Sequence, residues 1–151
     1  MEVAEDIVTV LRGAARERGV AVGVECPEEL HFAGDREDLE EILGNLVENA
    51  IAWARTRVDV TARADSGGVM VVGVSDDGPG IPEESHAHVL SRGARLDETT
   101  SGTGLGLGIV ADLVALNAGA LAFDRAPGGG LLASVRLPLA AGGAQGRNMP
   151  P

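Results

Sequence analysis

Three polar motifs in this chain carry residue types that can hold a metal ion or a phosphate group. The first contains Glu41, Asn45 and Asn49, which are spaced by four residues with Glu48 beside them, so they lie on one ridge of a predicted helix. Asparagine has poor helix propensity, and its amide oxygen is a hard ligand that suits Mg²⁺. The ridge is therefore a candidate metal site, although a solvated polar helix face is the commoner meaning of such a pattern.

The second motif is Asp76-Asp77-Gly78-Pro79-Gly80, which follows an apolar predicted strand. The two glycines permit backbone turns and a close approach that a Cβ atom would block. Asp76 stands where the strand ends, so its carboxylate can accept a hydrogen bond from a bound group such as an exocyclic amine. An ordinary strand-to-helix turn is the alternative, because Asp-Gly and Pro-Gly are common turn formers. The motif alone does not decide between the two.

The third motif is a glycine-rich run that opens a predicted helix, Ser101-Gly102-Thr103-Gly104-Leu105-Gly106-Leu107-Gly108. The free N–H groups and the dipole at a helix start attract phosphate, and glycines let the phosphate come close. The run does not match a dinucleotide-binding fingerprint, whose third glycine would fall at Leu107, and a Walker A loop is excluded because the chain has no lysine. The alternative is a flexible linker. The regular apolar spacing of the following helix favours a phosphate site, because it fixes the edge on which the glycines lie.

Hydrophobic periodicity predicts the elements that must position these motifs. Helices are predicted over 2–18, 35–54, 83–90 and 105–118. Strands are predicted over 20–25, 57–63, 69–75, 120–124 and 131–137, with a further short one at 30–33. Asp35 is the expected N-cap of the long helix, and Gly119 is the expected C′ residue of the last one. We expect one domain over 1–138, a mobile loop over 91–104 and a disordered tail over 139–151.

Composition narrows the possible classes of protein. The chain has 151 residues, 44% of them hydrophobic, which is the size of one ordinary domain with a real core. Its formal net charge of −11 disfavours a nucleic-acid-binding protein and direct membrane contact. The 12 basic residues are all arginine. Cys26 is the only cysteine, so no intramolecular disulfide can form, and a cytoplasmic location is expected.

In this order and spacing, the three motifs resemble those of the ATP-binding catalytic domain of sensor histidine kinases, within the GHKL ATPase superfamily. Residues 41–50 look like the N box of that family, residues 76–82 like its G1 box, and residues 102–109 like its G2 box. The resemblance covers roughly residues 2–138. It implies an α/β two-layer sandwich, the Bergerat ATP-binding fold: a mixed, mainly antiparallel sheet of about five strands, with three helices on one face.

The resemblance also implies roles for individual residues, with ATP and Mg²⁺ as cofactors. Asn49 would ligate Mg²⁺, and Asn45 would assist at the metal or at the phosphates. Asp76 would recognise the adenine amino group, while Gly78 and Gly80 would make room for the base. The other residues that the resemblance places around the nucleotide are Trp53, Ile81, Gly102, Thr103, Gly104, Leu105 and Gly106.

The chain departs from the family pattern in two places. Where the family often has a basic residue followed by an aromatic one after the N box, this chain has Ala52 and Trp53. Arg92 and Arg95 are the expected substitutes for the missing cation, because this part of the chain resembles the basic lid of PhoQ-like sensor kinases. Solubilising charge on an exposed loop is the alternative for these two arginines. The second departure is Val89-Leu90-Ser91, which replaces a phenylalanine pattern before the lid.

The function implied is that of a catalytic domain that transfers the γ-phosphate of ATP to a histidine on a dimerisation domain, which acts in turn on a response regulator. His31, His86 and His88 lack the sequence context of a phosphoacceptor, so we expect the acceptor on a part of the kinase that this chain does not contain. An amide at Asn45 cannot take a proton, so efficient hydrolysis of ATP is not expected. Two alternatives are a serine kinase of the anti-sigma-factor type and a degenerate sensor that binds nucleotide without catalysis.

Overall fold

The computed structural model describes residues 2–80 and 103–140, and within them the chain forms three helices and five strands. In chain order they are α1 (Glu2–Glu17), β1 (Ala21–Glu25), α2 (Arg36–Trp53), β2 (Arg57–Asp65), β3 (Val69–Asp76), α3 (Thr103–Leu116), β4 (Ala120–Arg125) and β5 (Leu131–Pro138). The three long predicted helices and the five main predicted strands are confirmed. The predicted helix at 83–90, most of the predicted loop at 91–104 and the tail after residue 140 lie outside the described residues.

The five strands form one mixed sheet in the order β1-β2-β3-β5-β4. The edge strand β1 is parallel to β2, and every other pair is antiparallel. The further strand expected at 30–33 is wrong, because that segment makes only an isolated bridge between Phe32 and Leu139. The bridge consists of two backbone hydrogen bonds, from the N–H of Ala33 to the carbonyl of Pro138 at 3.0 Å and from the N–H of Ala140 to the carbonyl of His31 at 2.8 Å.

Alternation along the strands places one face of the sheet against all three helices. In the three central strands, Val60 pairs with Val74 and Val74 with Ala133, and all three are buried. Their outward neighbours, such as Thr61 and Ser134, are at least partly exposed. The core therefore lies between the sheet and a single helical layer, which confirms the expected two-layer architecture.

Helix α2, which carries the amide ridge, begins as its sequence predicts. The Asp35 side chain accepts a hydrogen bond from the backbone N–H of Glu37 at 3.0 Å, so Asp35 is the N-cap. The buried stripe of the helix holds it against the sheet. Its members are Leu39, Ile42, Leu43, Leu46, Val47, Ala50 and Ile51. This packing fixes the direction in which the adjoining ridge faces.

Helices α1 and α3 end in the same hydrogen-bonded motif but with different residues at C′. In α1 the left-handed residue is Gly19, with φ +74°. In α3 it is Ala118, with φ +60°, so the prediction that Gly119 occupies C′ is wrong by one residue. A Cβ atom at Gly119 would collide with the carbonyl oxygen of Arg136, so this glycine serves a close approach to β5.

None of the helices in residues 2–80 and 103–140 has the length and apolar character needed to cross a bilayer. At the end of the described residues, the N–H of Ala140 donates to the carbonyl of His31 at 2.8 Å. The domain boundary at residue 138 remains a prediction.

Candidate functional site

The amide ridge of α2 faces the first turn of α3. The Nδ2 group of Asn45 donates to the carbonyl of Glu41 at 2.8 Å, which leaves its Oδ1 atom directed away from its own helix backbone. A Cβ atom built on Gly106 would lie 3.0 Å from that Oδ1 atom. The first four N–H groups of a helix lack partners within the helix. An amide oxygen and a helix start therefore lie next to each other.

Asn49, one turn further along α2, is 6% exposed and is one of two buried polar residues in the described core. The alternative of a solvated polar face therefore fails for Asn49. Glu41, at the start of the ridge, and Glu48, beside it, are exposed. No group of three His, Cys, Asp or Glu side chains in residues 2–80 and 103–140 could hold a metal ion. Amides alone would leave a cation dependent on ligands from elsewhere, and Mg²⁺ commonly takes these from water and from phosphates.

At the other end of the ridge, the last residue of α2 touches the loop after β3. A Cβ atom on Gly78 would collide with the backbone carbonyl of Trp53, and it would lie 3.1 Å from Oδ1 of Asp76. Gly78 is buried. Only glycine fits between the helix end and the carboxylate, so this glycine has the close-approach role that its motif suggested.

Asp76 is 6% exposed, and its Oδ1 atom accepts the backbone N–H of Gly78 at 2.8 Å and that of Leu131 at 3.4 Å. Burial raises the pKa of this carboxyl group, and the nearby charge of Asp77 raises it further, while the two hydrogen bonds oppose the rise. Within the described residues both hydrogen bonds fall on Oδ1. Oδ2 is therefore the oxygen available to a ligand.

The adjacent carboxylate, Asp77, has a different role, which the sequence did not reveal. It accepts the backbone N–H groups of Arg55, Thr56 and Arg57 at 2.8 to 3.2 Å, and the Thr56 hydroxyl at 2.5 Å. The bond from the Thr56 hydroxyl is the main reason that the pKa of Asp77 lies well below its usual range. Asp77 thus fastens the segment between α2 and β2 to the loop that holds Asp76.

Two glycines of the β4–β5 connection complete this region. A Cβ atom on Gly130 would collide with the backbone and side-chain oxygens of Asp76, and one on Gly80, whose φ is +79°, would lie 3.3 Å from the carbonyl of Gly129. In the sequence, Gly130 stands only in the connection between two predicted strands. The run Gly128-Gly129-Gly130 was the available signal, but its target lies 54 residues away along the chain.

The remaining predicted site residues fall into two groups. Thr103, Gly104 and Leu105 begin α3, on the side of the ridge where Gly106 meets Asn45. Ile81, Arg92, Arg95 and Gly102 lie outside the described residues.

Comparison with known proteins agrees with this arrangement. Residues 34–141 match the family of histidine kinase-, DNA gyrase B- and HSP90-like ATPases. The sensor protein kinase CarS of Pseudomonas aeruginosa is 47% identical over 122 residues, which cover 81% of this chain and 27% of that protein. The virulence sensor histidine kinase PhoQ of Salmonella typhimurium is 30% identical over 115 residues, which cover 76% of this chain and 23% of that protein. This chain therefore spans about a quarter of the length of these relatives.

Solved structures of sensor histidine kinases also resemble this chain. The mycobacterial sensor histidine kinase MprB superimposes with a TM-score of 0.78 at 29% identity, covering 91% of this chain and 93% of that one. Full-length ShkA in complex with AMPPNP superimposes with a TM-score of 0.80 at 26% identity, covering 92% of this chain and 30% of that one. This chain belongs to the histidine kinase-, DNA gyrase B- and HSP90-like ATPase family, and within it to the ATP-binding catalytic domains of sensor histidine kinases.

Proposed function

We propose that this chain binds Mg-ATP between α2, α3 and the Asp76 loop, and that it transfers the γ-phosphate to a histidine on a dimerisation domain. The observation that carries the proposal is the row formed by Asn45, Asn49 and Trp53. One end of the row meets the first turn of α3, and the other meets the loop that holds Asp76. Eight helical residues separate the ends by about 12 Å. A single extended ligand can therefore contact both ends.

Asp76 is the residue proposed to recognise the adenine base. Its Oδ2 atom accepts a hydrogen bond from the exocyclic amine of adenine, while Oδ1 stays held by backbone N–H groups. Guanine presents a carbonyl oxygen at the corresponding position, and two acceptors facing each other repel. Gly78 keeps the space beside the carboxylate open, because no side chain fits there. This site therefore favours ATP over GTP.

The phosphates are proposed to lie at the start of α3. The N–H groups of its first turn favour negative charge, Gly104 would leave room for it, and Gly106 lets the helix start approach Asn45 closely. The chain has no lysine. We assign the neutralising cations to Arg92 and Arg95, as the resemblance to a basic lid suggests.

The ridge amides fit a Mg²⁺ ion, since both side chains can present oxygen atoms to a hard cation. Asn49 is the proposed ligand, with Asn45 beside it. Held there together with ATP, the ion would offset the negative charge of the phosphates and the charge that develops during transfer. Asn45 has no group that can remove a proton from water. This chain therefore favours a nucleophile that needs no base to deprotonate it before attack, such as a neutral imidazole. Slow hydrolysis and efficient transfer to histidine are the expected pair of properties.

The acceptor histidine is assigned to a dimerisation domain of the full-length kinase, because none of the histidines of this chain has a phosphoacceptor context. A response regulator would then receive the phosphate from that histidine. We propose a cytoplasmic location for the domain, where ATP is supplied.

The decisive experiment mixes the 151-residue chain with a separate histidine-bearing dimerisation domain and ATP labelled at the γ-phosphate. Transfer is expected to give an acid-labile, base-stable phosphate on the acceptor, and none on an acceptor in which the histidine is replaced by glutamine. Acid-stable phosphate on a serine of a partner protein would identify the serine-kinase alternative. Nucleotide binding without transfer to any competent acceptor would identify the sensor alternative, and failure to bind ATP would overturn the whole proposal.

The metal assignment has its own test. Replacing Asn49 by alanine should weaken ATP binding by at least tenfold in Mg²⁺, and by less when EDTA removes the metal. Calorimetry with each variant under both conditions measures the difference. Asn117→Ala is the matched control. The Asn117 amide follows the end of α3 and donates to the side chain of Asp38 and to the carbonyl of Leu113, away from the ridge. Equal losses with and without Mg²⁺ for Asn49→Ala would contradict the ligand role.

A further inference from the structure

Only some arginines of this acidic chain form salt bridges with carboxylates. Salt bridges of 2.7 to 3.8 Å join Arg36, Arg57, Arg63 and Arg136 to nearby carboxylates. Within the described residues, five others have no carboxylate within 4.0 Å. One of them is Arg125 at the end of β4, and the other four lie around the end of α1 and the segment after α2. They are Arg12, Arg16, Arg18 and Arg55. A local excess of positive charge is unusual on a chain whose net charge is −11.

These arginines surround an open groove of about 460 Å³ between α1 and the edge strand β1. Arg12 and Arg16 line it from the helix, residues 19–22 line it from the following turn and strand, and Thr56 closes one end. Arg18 and Arg55 flank it, because each directly precedes a lining residue in the chain. We call this surface the basic groove.

Three of the four side chains are already held in place by backbone carbonyls. Arg12 donates to Val22 at 3.3 Å, Arg18 to Ala52 at 3.0 Å and Arg55 to Asp77 at 3.3 Å. A guanidinium group has five N–H donors, so each keeps several for another acceptor. Side chains ordered before binding lose less conformational entropy when a ligand arrives.

Asp77 and Glu17 lie near the groove, and their two negative charges offset only two of the four arginine charges. Asp77 accepts hydrogen bonds from the Thr56 hydroxyl and from three backbone N–H groups. Glu17 is exposed and lies between Arg16 and Arg18 in the sequence, but it is within 4.0 Å of no arginine among the described residues. The groove therefore stays positive, against the sign of the whole chain.

We propose that the basic groove binds an acidic, extended segment of a partner protein. Arg12 and Arg16 are four residues apart on α1, so they are separated by about 6 Å along its axis. Carboxylates on alternate residues of an extended chain repeat at about 6.6 Å. The two spacings match, and guanidinium groups bind carboxylates in paired hydrogen bonds. A small inorganic anion would use only one of these positions.

The test measures fluorescence anisotropy of a labelled peptide, four repeats of Glu-Thr, against the full chain saturated with ATP so that the nucleotide pocket is filled. We expect binding that weakens with salt, and no binding of the matched Gln-Thr peptide. Arg12→Gln combined with Arg16→Gln should weaken binding at least tenfold. Arg63→Gln combined with Arg136→Gln is the control that removes the same charge, and it should leave binding unchanged.

Three outcomes would overturn the proposal. The first is that the wild-type chain does not bind the Glu-Thr peptide, while the Arg12 and Arg16 substitutions only lower the denaturation midpoint. That result would mean that these arginines stabilise the C-terminal part of α1 and do not bind a ligand. The second is equal weakening by both double variants, which would reduce the effect to net charge. The third is displacement of the peptide by inorganic phosphate at the same concentration as by free Glu-Thr peptide, which would indicate a site for small anions.

Discussion

Gly106 in the first turn of α3 lies against Asn45 of α2, so close that a Cβ atom on the glycine would be 3.0 Å from Oδ1 of the amide. That distance is tighter than ordinary van der Waals contact, so one of the two groups must move if alanine replaces the glycine. Asn45 has little freedom to move, because its Nδ2 group is bonded to Glu41 in its own helix. The relationship thus couples the amide ridge to the helix start that is proposed to hold phosphate.

Gly106→Ala should therefore weaken Mg-ATP binding by about tenfold while leaving the protein folded, since alanine itself favours a helix. Calorimetry with Mg-ATP measures the affinity, and circular dichroism checks the fold. Gly44→Ala is the matched control, because its added Cβ would meet only Ile7, at 4.0 Å. The control should keep its affinity and gain up to about 1 kcal/mol in free energy of unfolding. Unchanged affinity in Gly106→Ala would mean that the contact between Gly106 and Asn45 does not affect phosphate binding.

Asp76→Asn should separate binding from stability. The amide keeps an oxygen for the N–H groups of Gly78 and Leu131 but loses the negative charge that receives the adenine amine, so ATP affinity should fall at least tenfold. Burial raises the pKa of Asp76 above its unfolded value, so ionisation of this group costs stability as the pH rises through that raised pKa. At neutral pH the variant should thus be at least as stable as the wild type. Denaturant titration and ATP calorimetry on the same samples measure both quantities, with the exposed Asp124→Asn as the control.

Asp77→Asn should change the acid sensitivity of the fold. The folded-state pKa of Asp77 is depressed, so its stabilising effect is present above the unfolded pKa of about 3.9 and is lost as the pH falls below it. The denaturation midpoint of the wild type should therefore drop more steeply between pH 5 and pH 3 than that of Asp77→Asn, and the variant should be less stable at pH 7. Thr56→Val should give an intermediate slope, because the Thr56 hydroxyl makes the largest contribution to the depressed pKa. Parallel slopes for all three proteins would show that the hydrogen bonds to Asp77 do not contribute to the free energy of unfolding.

The helices and strands follow from the sequence because their signals are local. The periodicity of α2 and the N-cap at Asp35 depend only on neighbouring residues, and so does the alternation of buried and more exposed residues in β2. The likeness to sensor histidine kinases came from three motifs in register. It implied that they meet in one pocket, and the contact between Asn45 and Gly106 agrees with this.

The features that the sequence did not reveal depend on contacts between distant segments. Asp77 reads as part of a turn, because its partners at residues 55–57 reach it only through the antiparallel pairing of β2 and β3. Gly130 reads as part of a glycine-rich connection, because its contact with Asp76 requires that β5 lie beside β3. The burial of Asn49 likewise depends on the tertiary fold, because the ridge appeared polar in the sequence of α2 alone.

The C′ residue of α3 offers a test of backbone strain without any ligand. In α1, Val20 donates to Ala15 and Gly19 holds φ +74°; in α3, Gly119 donates to Val114 and Ala118 holds φ +60°. The geometry is the same, but a left-handed conformation costs an alanine more than a glycine. Ala118→Gly should raise the free energy of unfolding by about 0.5–1 kcal/mol, and Gly19→Ala should lower it by a similar amount. Denaturant titrations of the two single variants and the double variant measure these changes, and the double variant should return close to the wild type because the two sites lie in separate helices. A loss of stability in Ala118→Gly would mean that the entropy of the unfolded chain outweighs the strain at this position.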